Sequence, residues 1–176
     1  MGLRRISREW GSSPQARGRT HPCDEQLQSP RDALFRAVSI DAEPAVVFRW
    51  LCQLRIAPYS YDWIDNRGRR SPQHLTPGLD QLAVGQRVMR IFELVGFEDG
   101  RSLTLRLRRP RTWLDLAVSY EVAPEPDGRS RLLVTLVPRY GEGLVGQALR
   151  ATLPTLDWIM MRRQLLNLKR LAETPA

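Results

Sequence analysis

The chain has 176 residues, 42% of them hydrophobic, a length and apolar content that fit one ordinary domain with one core. Its formal charge is +8 and Lys169 is its only lysine, but the arginines are scattered among acids without a recognition module, so nucleic acid is not an expected partner. Cys23 and Cys52 imply no disulfide framework and suit a reducing cytoplasm, the opening MGLRRISREWGSSP lacks a signal peptide's apolar core, and no stretch approaches the roughly 20 apolar residues of a membrane span.

Residues 1–31 are rich in Arg, Ser, Pro, Gly and Gln and poor in aliphatics. Such a segment buries too little surface to offset its ordering entropy, so it is expected to be a flexible basic tail, dispensable for folding. Trp10 is its one residue suited to docking. The ordered domain is expected over residues 32–173.

ALFRAVSI (33–40) alternates and reads as a strand. A helix follows, with Asp41 placed to cap it and Pro44 tolerated in its first turn. Val47, Trp50, Leu51 and Leu54 share its apolar face. Pro58 is expected to open a second short helix through YSYDWIDN, ended by Gly68. There Tyr59 and Trp63 would share one face and Asp62 and Asn66 another. Trp63 is expected to be mostly buried, and Asp62 or Asp65 to hold an arginine of the following RGRR. A long Gly/Pro-rich connection leads to residue 86.

From there the period becomes two. RVMRIFELVGF reads as a long strand or a bent strand pair, and Asp99-Gly100 as a hairpin turn. SLTLRLRR, WLDLAVSYEV and RSRLLVTLVPRY complete an antiparallel meander. Leu103, Leu105, Leu107, Leu116, Val118 and Tyr120 point inward. The chain ends in a helical pattern carrying Leu149, Leu153, Leu156 and Met160, which Pro154 should start or kink.

The order of elements, with VSIDAEPAVVFRWL, LAVGQRVMR, WLCQLRIAPYSYDWIDNRGRRSP and WIMMRRQLLNLKRLAE, resembles the START/Bet v 1-like (SRPBCC, polyketide cyclase-like) superfamily over about residues 33–172. The resemblance implies an α+β helix-grip fold. A curved antiparallel sheet wraps a long C-terminal helix, two short helices follow the first strand, and an apolar cavity lies between sheet and helix. Members bind lipids, sterols, hormones or polyketides, or cyclise and dehydrate polyketides. They share no universal catalytic residue, so none is assigned here.

Among chemical candidates, His21 and His74 lie at no ligand spacing from Cys or carboxylates, so no metal or other cofactor is expected. No nucleophile elbow accompanies His74. Cys52, on the apolar side of its helix, reads as a small buried hydrophobe. Tyr59, Tyr61 and Trp63 either close the end of the sheet or stand at a pocket mouth with their polar tips toward a ligand. Tyr120 would add a hydroxyl deeper inside, and Met160 would line the same space from the C-terminal helix. Arg36 and Arg90 have apolar neighbours two residues away, and a surface position is the reading favoured over a buried cation. The expected function is binding or carriage of an apolar small molecule. A polyketide cyclase or dehydratase and an interaction module with a filled cavity are the alternatives, and a homodimer is left open.

Overall fold

The structure, a computed structural model, describes residues 2–27 and 32–174. The expected tail boundary at residue 31 lies outside the described residues. Six strands form one antiparallel sheet. They are β1 (Leu34–Ile40), β2 (Arg87–Val88), β3 (Phe92–Glu98), β4 (Ser102–Leu107), β5 (Leu114–Pro124) and β6 (Ser130–Tyr140), in the spatial order β1-β6-β5-β4-β3-β2. The helices are α1 (Leu3–Glu9), α2 (Pro14–Arg17), α3 (Pro44–Cys52), α4 (Asp62–Asp65) and α5 (Leu144–Ala172). Only β1 leaves chain order, crossing to pair with β6. This is the expected α+β architecture, a curved sheet with a long C-terminal helix.

The pairing register explains the core. Arg36, Val134, Tyr120 and Leu103 are successive cross-strand partners in one row, and Leu34, Leu136, Val118 and Leu105 form the next. Side chains alternate along a strand, so each row falls on one face. That face meets α5, whose Met161, Leu165, Leu168 and Leu171 are buried. Each fully buried leucine of this set contributes about 1.5–3 kcal/mol by leaving water.

Three local expectations are corrected. Asp41 does not cap α3: the helix starts at Pro44 with Glu43 at its N-cap, and the Asp41 backbone N–H donates to Glu173 instead. Pro58 does not open a helix, because Tyr59 takes a left-handed backbone at φ 55° and the chain turns before α4 begins at Asp62. Pro154 does not start α5, which already begins at Leu144 and carries the proline in its interior.

The N-terminal segment makes contacts that its composition did not suggest. Residues 2–27 lie against the body rather than apart from it. Cys23 and Leu27 are buried with Ala117 and Val137 on the face of the sheet away from α5. Cys23 Sγ donates to the Thr135 carbonyl at 3.4 Å, and the Ser119 hydroxyl donates to Cys23 Sγ at 3.3 Å. His21 is buried, with Glu121 at 2.6 Å from Nδ1 and the Ala16 carbonyl at 2.8 Å from Nε2. At the β1 edge, the Ala37 N–H donates to the Trp10 carbonyl at 2.9 Å. Composition missed this because a few well-placed residues, not average hydrophobicity, make the contact.

Candidate functional site

Between the sheet and the middle of α5 lies a cavity of about 300 Å³. Leu116, Val118 and Leu136 line it from the sheet and Leu153, Leu156 and Met161 from the helix. Tyr120 and Met160, both singled out in the sequence, stand in its wall.

The polar groups of the cavity are few and mostly engaged. Tyr120 is fully buried and donates its hydroxyl to Gln164 Oε1 at 2.7 Å. Burial, with the nearby Asp157 charge adding to it, raises the Tyr120 phenol well above its ordinary range. The Gln164 amide donates onward to the Pro58 carbonyl at 2.6 Å. Asn167 donates to the Tyr59 carbonyl at 2.8 Å and the Ser60 hydroxyl to the Met160 carbonyl at 3.1 Å. Three consecutive residues are thus clamped to α5, which satisfies backbone groups that the turn leaves unpaired.

Arg36 overturns the surface reading. Its guanidinium is fully buried and reaches Asp157 on α5 at 2.9 Å, with further donations to the Ser7 and Pro154 carbonyls at 2.6 and 3.2 Å. Burial lowers the Arg36 pKa and raises that of Asp157, in each case against the pull of the partner charge. Asp157 also lines the cavity, so one wall carries an ion pair. The inward register of β1 puts Arg36 there.

Asp65 is only partly engaged, with Ser60 and a backbone N–H opposing the effect of its burial. Its carboxyl lines the cavity, Oδ1 is buried without a hydrogen-bond partner, and burial pushes its pKa upward. Sequence spacing treated it as a surface acid of a helix and gave no sign of this.

The three aromatics of YSYDWIDN sit elsewhere. Tyr59, Tyr61 and Trp63 line a neighbouring polar groove of about 370 Å³, which shares Ser60 with the cavity. Tyr59 is buried edge-on against Trp50, with ring centroids 6.0 Å apart. Its hydroxyl lacks a partner, and burial pushes its pKa up to about 12. Tyr61 lies under the Arg163 guanidinium at 6.0 Å. Trp63 is 74% exposed, contrary to expectation. The left-handed turn at Tyr59 breaks the four-residue spacing that would have aligned Trp63 with it. Asp62 does hold the basic loop, but through Ser71, whose N–H and hydroxyl donate to it at 2.8 and 2.6 Å, and not through an arginine.

Cys52 is buried in the core, and burial raises its thiol pKa to about 12. Among the described residues no cluster of three His, Cys, Asp or Glu could hold a metal ion, and no helix is long and apolar enough to cross a membrane.

No protein-family model matches the chain, and no curated protein matches it. Solved structures do match. The hypothetical protein jhp0584 from Helicobacter pylori superposes with a TM-score of 0.55 at 14% identity, over 87% of this chain and 95% of its own. Protein CV1439 from Chromobacterium violaceum superposes with a TM-score of 0.51 at 13% identity, over 81% and 98%. At such identities the likeness extends to the fold alone. It is compatible with a helix grip and names no family.

Proposed function

We propose that this protein binds an apolar small molecule between its sheet and α5, as a carrier or sensor of the START/Bet v 1-like type, with residues 32–173 as the binding unit. The cavity carries the reading: about 300 Å³ of mostly apolar wall, within the usual size of small-molecule sites. Tyr120 and Met160 are its wall residues, and Tyr59, Tyr61 and Trp63 belong to the adjoining groove. Two buried free thiols suit a reducing compartment such as the cytoplasm. An environment-sensitive apolar dye should gain fluorescence on the folded protein. Met160→Trp, which fills the cavity, should abolish the gain while the melting temperature stays within a few degrees. Dye binding untouched by Met160→Trp would sink the reading.

Asp65 supports a second reading, a cyclase or dehydratase type of enzyme. A carboxyl facing an apolar cavity with its pKa pushed up is suited to hold and donate a proton. Asp65→Asn would then spare dye binding and stop turnover of a polyketide-like substrate. An interaction module with a filled interior is the least favoured reading, since the space between sheet and helix is not filled.

A further inference from the structure

A second and wider recess, about 540 Å³, lies beside the apolar cavity. Arg87, Arg90, Arg108, Arg109 and Arg111 line it, and no carboxylate does. Several arginines elsewhere are paired with acids. Arg106 and Arg139 share Asp115, Arg36 has Asp157 and Arg101 has Glu98. Others, such as Arg49, Arg67 and Arg129, stand singly or in short loop runs; what sets the groove apart is five guanidinium groups lining one recess. Among the described residues the five groove arginines make no such pair. Like charges gathered without a counter-charge repel one another and attract an anion. The groove is not purely polar, since Trp113 and Leu114 also line it.

The wall between the two spaces is the bend joining β2 to β3. Met89 and Arg90 both have left-handed backbones there, at φ 45° and 67°. Side-chain-bearing residues seldom adopt that region, and such strain gathers at functional sites. The bend sends its side chains two ways. Met89 enters the apolar cavity, where Gln164 Nε2 lies 3.2 Å from its sulfur. Arg90 lines the groove. Ile91 borders both spaces and is 58% exposed. A molecule spanning Ile91 would meet an apolar pocket on one side and five guanidinium groups on the other.

We infer that the ligand is an amphiphile with an anionic head, a carboxylate or a phosphate. Its chain occupies the cavity and its head lies among the groove arginines. Guanidinium groups suit both heads because their paired N–H groups match two oxygens at once. This rests on the apolar-ligand reading above and adds the class of ligand to it.

Decanoate and decanol share a chain and differ in the head, so competition of each against the apolar dye separates the two claims. Decanoate should displace dye about tenfold more effectively than decanol at low salt. The advantage should shrink as salt is added, because the groove is open to screening. An Arg90→Gln/Arg109→Gln variant with an unchanged melting temperature should lose the advantage and keep its affinity for decanol. Equal displacement by the two compounds, or an advantage that survives in the variant, overturns the inference and leaves the apolar-ligand reading standing. Displacement by neither defeats that reading and this one with it. Cosedimentation with phosphatidylglycerol vesicles that the variant loses, combined with equal displacement by decanoate and decanol, would make the groove a bilayer-docking surface and also overturn the inference.

Discussion

At the scale of single residues, the cavity wall depends on a charge held away from water. Arg36 is buried in β1, and Asp157 is the carboxylate that neutralises it. Removing one partner of such a pair leaves the other uncompensated. Asp157→Asn should therefore cost about 3–5 kcal/mol in urea unfolding. Replacing both, as Arg36→Met with Asp157→Leu, should cost clearly less, because no unpaired ion remains. A double variant as unstable as Asp157→Asn would mean that the pair is worth more than its desolvation. The two thiols give a pH-based test. Burial raises Cys23 and Cys52 to about 12 each, from an ordinary 9.0. The thiolate is the reactive form, so at pH 8 neither should react with a thiol reagent in the folded chain, and both should react at once in denaturant. Rapid labelling of one thiol in the native protein would show that its surroundings open readily.

At the scale of elements, the N-terminal segment decides whether the sheet has one covered face or two. α5 covers the inner face, and residues 16–27 supply cover for the outer face around Ala117, Ser119 and Val137. Trp10 and Gly11 lie along the free edge of β1. Gly11 has φ 73°, and a Cβ there would stand 2.0 Å from the Ala37 carbonyl oxygen. Gly11→Ala should displace the segment from that edge and lower the melting temperature by several degrees. Deleting residues 1–27 should lower it further and raise binding of an apolar dye, because the Ala117–Val137 surface becomes exposed. Such binding would survive Met160→Trp, which distinguishes it from cavity binding. A truncated chain that melts like the full one would instead bear out the expectation of a dispensable tail.

At the scale of the whole molecule, stability should be uneven in a stated way. β5 and β6 pair over their full lengths at the centre of the sheet, buried on both faces. The connection over residues 67–86 is mostly exposed and has little regular structure. Native-state hydrogen exchange should be slowest for amides of 116–122 and 132–137 and fastest in 67–86. The bend at Met89–Ile91 should exchange faster than β5 and slow when ligand is added, since it forms the wall between cavity and groove. Protection spread evenly over the chain would contradict this division.

Much of the fold was legible without coordinates because it is periodic. Strands β4, β5 and β6 announce themselves by alternation, Asp99-Gly100 by its turn chemistry, and the buried face of α3 by its spacing. Each signal lies within about ten residues of chain. Tyr120 and Met160 were legible as inward residues for the same reason. Arg36 meets Asp157 across 121 positions of sequence, and Cys23 meets Thr135 across 112, and no local period encodes either contact. Trp63 was misjudged because a single left-handed residue, Tyr59, changes which face follows. The arginine groove draws on two separated stretches, 87–91 and 107–114, which the β3–β4 pairing and the Arg108 N–H to Ile91 carbonyl bond set side by side, with the β2–β3 bend turning Arg90 into the recess. Alternation and spacing belong to the chain alone. The partner of a buried charge, the cover of a sheet face and the meeting of five arginines belong to how distant segments pack.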